Sequence, residues 1–159
     1  MEGIVDGKPR RTGAAAARVA AIALALVAGG VSAQGLSSPV GLWKSIDDDT
    51  KQPKSLVRIV ERDGVLTGRI EKILTDKPDA VCDKCSDERK DQPVQGMTII
   101  TGMKRAGEQW EGGKILDPNN GKVYSSLMRL IDGGRRLEVR GFVLGMPLLG
   151  RSQTWLREE

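Results

Sequence analysis

Residues 121–144, GKVYSSLMRLIDGGRRLEVRGFVL, decide the fold. Two apolar-rich runs flank Asp132-Gly133-Gly134, a sequence that supplies the positive φ angles a tight hairpin needs. In the second run Leu137, Val139, Gly141 and Val143 share one face, and Arg136, Glu138 and Arg140 take the other. That is the period of a half-buried strand. The first run is less polarised: Val123, Ser125, Leu127 and Ile131 alternate with Tyr124, Ser126, Met128 and Leu130, as expected of a strand covered on both sides or facing a mixed cavity.

Working outward, the same pattern recurs over 40–46, 55–62, 65–73, 96–105, 108–116 and 151–158, with Met97, Ile99, Thr101 and Met103 expected on one side of the fourth strand. Together with 121–131 and 135–144 these make eight strands. No stretch has a 3.6-residue period long enough for a major helix. Asp63-Gly64, Ala106-Gly107 and Asp117-Pro118-Asn119-Asn120-Gly121 supply further hairpin turns. Eight antiparallel strands joined in sequence close most naturally into an up-and-down barrel, because closure removes exposed edges. Gly68, Gly102, Gly112, Gly113 and Gly141 sit inside strands, where they permit tight coiling. The interior of such a barrel is filled by side chains or holds one small ligand. A sandwich of the same strands is the alternative architecture.

The N-terminus reads differently. Lys8, Arg10, Arg11 and Arg18 precede the apolar run Val19–Ala28, which is followed by two glycines and Val31-Ser32-Ala33. A basic flank, a short apolar core and a small-x-small end form a secretory signal pattern, and the core is too short to remain as a membrane span. We therefore expect a signal helix over 1–33, cleaved after Ala33, and a barrel domain over 34–159 that is periplasmic or secreted. The cleavage site has no cysteine, so no lipid anchor is indicated.

Cleavage removes four of the 25 basic residues and two of the 21 acidic ones, lowering the net charge from +4 to +2. A nearly balanced chain with 3% aromatic residues lacks the clustered charge and stacking surface that nucleic-acid binding needs. The most charged stretch, Lys84–Lys90, mixes acids with bases and reads as a solvated loop. Histidine is absent, which excludes Ser-His-Asp and Cys-His nucleophiles and histidine zinc ligands.

Several segments coincide in order and spacing with one family: Gly41-Leu42-Trp43-Lys44, Cys82-x-x-Cys85 followed by Glu88-Arg89-Lys90, Gly96-Met97-Thr98-Ile99, Gly113–Pro118 with Gly121-Lys122-Val123-Tyr124, Arg140-Gly141-Phe142, and Leu149–Trp155. Over nearly the whole mature chain the sequence resembles the domain-of-unknown-function 2147 family of exported bacterial proteins. The resemblance implies a secreted or periplasmic lipocalin-like barrel and no settled activity. Gly41-x-Trp43, with Arg157 just after Trp155, also resembles the lipocalin signature, in which an arginine packs across the first-strand tryptophan where the barrel closes.

Cys82 and Cys85 are the only cysteines and fall in the longest connection. In an exported protein a disulfide is the default. A redox pair and a metal site remain alternatives, but no helix start is evident to lower a thiol pKa, Asp83 is adjacent, and neither His nor further Cys can complete a zinc site. Asp47-Asp48-Asp49 and Asp117–Gly121 do not match an EF-hand loop and read as turns. No glycine-rich phosphate loop is present.

Phe142–Leu149 (FVLGMPLL) is apolar where hairpin tips are normally polar. Burial as a plug on the barrel end accounts for it, and Pro147 favours a shaped loop over continued strand. Contact with a ligand or an envelope partner is the alternative. The functional expectation is a binding barrel without enzymatic activity, cofactor or metal, taking a small, partly apolar molecule at candidate contacts Met97, Ile99, Trp110, Tyr124, Phe142, Leu144 and Met146. An envelope interaction module with a filled barrel is the alternative, and a thiol-disulfide protein a third reading. The expected partners are an apolar ligand and an envelope protein; the expected state is a monomer with no stable membrane span after signal cleavage.

Overall fold

The computed structural model of the protein describes residues 36–159, so the signal reading of 1–33 lies outside the described residues. Eight strands follow one another: β1 (Gly41–Ile46), β2 (Pro53–Arg62), β3 (Val65–Ile73), β4 (Thr98–Ala106), β5 (Gln109–Asp117), β6 (Lys122–Ile131), β7 (Arg136–Val143) and β8 (Met146–Arg157). Each pairs antiparallel with its neighbour and β8 returns to β1, giving a closed up-and-down barrel. The alternation read from the sequence sets the inward face. Val57 and Ile59 of β2, Leu66 and Ile70 of β3, Met128 of β6 and Leu137 and Val139 of β7 are all buried. Among the described residues no helix is long and apolar enough to cross a membrane, which says nothing about crossing by strands.

The seam that closes the barrel is short. β2 and β3 pair from Ser55↔Ile73 to Arg62↔Val65, whereas β1 and β8 are in register only at Trp43↔Arg157 and Lys44↔Leu156. Beyond Lys44 toward the other end, β1 and β8 have no further register pair.

Two local expectations are corrected. In β4 the simple alternation fails: the register with β3 shifts between Gly68 and Arg69 and again between Leu66 and Gly68. Ile99 and Ile100 are both buried, and Thr101 is exposed. An extra residue in a strand lets consecutive side chains face the same way, which period-two counting cannot anticipate. The second correction concerns Phe142–Leu149, which is neither plug nor loop. Only Leu144 and Gly145 lie between the strands, and Met146-Pro147 already belong to β8. Val143 pairs with Met146 and Phe142 with Gly150, so residues 147–149 bulge out of the ladder. Pro147, which has no N–H to donate, sits in that bulge, one of the few places a sheet accepts proline. The side chains are open to solvent, with Leu144 83% and Leu148 92% exposed.

Candidate functional site: a barrel sealed at one end and hollow at the other

The sealed end is built around Trp43. Its ring is fully buried, and its Nε1–H donates to the carbonyl of Pro39 at 2.7 Å. The Arg157 guanidinium stacks over the ring with its carbon 4.2 Å from the ring centre. The same group donates from Nε to Gly134 O (2.7 Å), from Nη1 to Val40 O (3.0 Å) and from Nη2 to Ser38 O (2.7 Å). One planar cation thus satisfies carbonyls from the strand-entry segment and the β6–β7 turn, a task suited to the fixed fork of arginine. Partial burial lowers the Arg157 pKa from its ordinary value. Gly41 makes the approach possible: its φ is +138°, and a Cβ there would lie 2.5 Å from Glu159 O. Inward of this lock, Ile59, Leu66, Met103, Met128 and Leu137 are fully buried and Trp110 is 5% exposed.

The opposite end is hollow. A cavity of about 870 Å³ opens among the β1–β2, β3–β4, β5–β6 and β7–β8 connections. Ile70, Ile99, Ile115, Val139 and Trp155 give it apolar walls. Several polar groups in its lining are paired. The Ser45 and Ser55 hydroxyls lie 2.7 Å apart, and the Asn120 side-chain amide donates to the Tyr124 hydroxyl at 3.1 Å. Trp155 Nε1–H donates to Gln153 Oε1 (3.1 Å), and Gln153 Nε2–H donates to Asp48 Oδ2 (2.8 Å). Asp48 Oδ2 also receives Arg151 Nε at 2.6 Å. Asp48 lies in the β1–β2 connection and both partners are on β8, so its carboxylate spans the seam where backbone pairing has ended. Lys54, Lys77, Lys84, Asp83 and Asp117 complete the lining on the loop side. Gly141 contributes no side chain, and a Cβ there would come within 3.3 Å of Ile115 and 3.5 Å of Tyr124.

The β3–β4 connection folds over this end. Ala80, Val81 and Val94 line the cavity, and a miniature ladder holds them: Val81 bridges Pro93, Val94 N–H donates to Ala80 O (2.8 Å) and Cys82 N–H to Gln92 O (2.9 Å). Cys82 and Cys85 form a disulfide, 0% and 3% exposed, inside the core cluster. Gly121 of the β5–β6 turn packs against it; with φ +69°, its Cβ would fall 1.9 Å from Lys84 O. The following charged stretch is mostly exposed, and Arg89 hydrogen-bonds Asp87, lowering its carboxyl to about 2. The other acidic runs cap turns: Asp47 accepts the Asp49 and Thr50 N–H groups and the Thr50 hydroxyl, which lowers its pKa, and Asp117 accepts from Asn119 and Asn120. No group of three or more His, Cys, Asp or Glu among the described residues is arranged to hold a metal.

The ligand-contact candidates are dispersed. Ile99 and Tyr124 line the cavity. Met97 instead lines a shallower groove of about 480 Å³ with Arg69, Gln92 and Thr98. Trp110 belongs to the packed half, and Phe142, Leu144 and Met146 are on the β7–β8 hairpin, outside the cavity lining. The cavity residues missed by sequence reasoning include Ser45, Ser55, Arg151 and Gln153. Arg151 and Gln153 carried a usable signal, since they alternate with Trp155 on the inward face of β8. Asp48 carried none, because its role depends on where the seam opens.

Comparison with solved structures finds protein HP1028 from Helicobacter pylori, a member of the lipocalin family, with a TM-score of 0.67 at 15% identity over 77% of this chain and 84% of that one. At that identity the likeness is one of fold. No curated protein matches the chain. A family profile described as "Uncharacterized protein conserved in bacteria" matches residues 41–157, nearly the whole described barrel, and by that match the chain belongs to the DUF2147 family.

Proposed function

We propose that the barrel binds one small, partly apolar molecule in its hollow half, acting as a non-catalytic binding protein of the bacterial envelope. The observation that carries this reading is the cavity: about 870 Å³, with aliphatic walls and a few paired polar groups, within the range of roughly 300–1,000 Å³ typical of small-molecule sites. The packed half seals one end and leaves the cavity to open at the other. The N-terminal signal pattern and the disulfide, a bond that persists in oxidising compartments, support the envelope location. Burial of both sulfurs supports a structural role for the pair, since a thiol catalyst must present its attacking sulfur to a substrate. The reading needs neither metal nor nucleic acid, and a monomer suffices.

The test is copurification of bound small molecules with the mature chain, identified by mass spectrometry, with displacement of a fluorescent apolar probe. Gly141→Val should weaken probe binding at least tenfold, because the added methyl groups enter space between Ile115 and Tyr124. Absence of any copurified molecule together with absence of probe binding would remove the proposal.

A further inference from the structure

The β7–β8 hairpin places Val143, Leu144, Met146, Leu148 and Leu149 in solvent, from 47% exposed at Val143 to 92% at Leu148. Scattered exposed aliphatics need no explanation, but a continuous set at one hairpin tip marks a surface that something covers. Three observations indicate what. The tip is a two-residue turn with an outward bulge at 147–149, so it projects instead of forming a groove. The hairpin itself carries charge of one sign: from Val139 to Gln153 the chain contains Arg140 and Arg151 and no acid, and Arg151 is paired with Asp48 of the β1–β2 connection, which leaves Arg140 as the cation without an acidic partner among the described residues. Arg140 also braces the bulge, donating to Pro147 O at 2.9 Å and to Ser152 Oγ at 3.1 Å. Finally, Leu149, at the end of the apolar set, also lines the cavity, so the tip and the ligand space are continuous.

We infer that this hairpin docks the barrel on an anionic lipid bilayer, with Leu144 and Leu148 entering the acyl region and Arg140 at the headgroup level. A projecting aliphatic tip with a cation behind it matches the apolar-below, anionic-above profile of a membrane surface. Docking there sets the cavity mouth against the phase that holds partly apolar molecules. The inference rests on the ligand reading for its purpose, but its test is independent of that reading.

The barrel unit from Gln34 onward, which closes on itself without upstream residues, is floated with vesicles of phosphatidylglycerol and phosphatidylethanolamine, and with vesicles of phosphatidylcholine alone. Co-flotation with the anionic vesicles is expected, weakened at high salt and at least tenfold reduced in Leu144→Ser/Leu148→Ser. Arg140→Gln should lower binding to anionic vesicles and reduce its salt dependence. The double serine variant should keep the wild-type circular dichroism spectrum and bind the apolar probe in solution within about twofold, since neither leucine lines the cavity. Failure of wild-type protein to float, or equal flotation of the double variant, would overturn the inference whatever the probe result. So would a concentration-dependent dimer, seen by sedimentation and abolished by the same two substitutions, because the tip would then be covered by a second copy.

Discussion

The two ends of this barrel solve the same problem, how to finish a sheet cylinder, in opposite ways. At the sealed end one tryptophan and one arginine do it: an apolar ring fills the bore, and a single guanidinium takes up three carbonyls from two separate segments. At the open end no side chain fills the bore. Small hydroxyls pair with each other, and a carboxylate reaches across the gap left by β1. The sealed end concentrates buried apolar volume, and the open end concentrates polar contacts near water. Stability should therefore reside at the first and accessibility at the second.

The largest effect should come from the sealed end. Trp43→Ala removes a fully buried indole and the surface Arg157 stacks on, and should cost about 3–5 kcal/mol in urea unfolding. A loss below about 1 kcal/mol would mean the end is not sealed by packing. At the open end, Cys82→Ala/Cys85→Ala should cost only about 2 kcal/mol, because the bridge closes a short loop. Hydrogen exchange should accelerate over 74–97 and stay slow around Trp43; equal acceleration at both ends would erase the distinction. Asp48→Asn should cost about 1 kcal/mol, as expected of an ion pair whose arginine is exposed and whose carboxylate is only partly covered. Its sharper readout is kinetic, a faster release of the apolar probe across the loosened seam. The smallest effect is that of pH. The Asp87 carboxyl is depressed to about 2 from an ordinary 3.8, so its pairing with Arg89 contributes fully above about pH 4 and is lost as pH falls toward 2. The change should appear in exchange rates of 84–92 and scarcely in the global melting temperature.

The sequence made the barrel legible because its cues were local. Asp63-Gly64 and Asp132-Gly133-Gly134 marked turns, and Leu137, Val139 and Gly141 marked an inward face, within windows of a few residues. Trp43 and Arg157 could be paired at a distance only through the lipocalin resemblance. Ile99 and Tyr124 were legible as cavity residues from alternation, whereas Thr101 was misplaced because a register shift depends on the neighbouring strand. The 142–149 segment failed for another reason. Apolar composition predicts burial from the average cost of exposing aliphatic surface, and it cannot register that a hairpin extends beyond the elements that would cover it. Asp48 shows the limit of local reading most plainly, since its partners Arg151 and Gln153 lie more than a hundred positions away.

The short β1–β8 seam also bears on the order in which the molecule is made. Arg157 and Ser38, hydrogen-bonded at the sealed end, stand 119 positions apart. Ring closure between segments so distant carries a loop-entropy cost that contacts between successive strands do not, which makes the β1–β8 pairing the slow step of folding. A growing chain can form every hairpin from β1–β2 to β6–β7 while Trp43 still waits for its arginine. Until the last strand arrives, the sheet has two free edges, the condition under which β-proteins pair with the wrong neighbour. The indole emission of Trp43 should thus mature in the final refolding phase, and a chain ending before Arg157 should accumulate as an open, association-prone sheet.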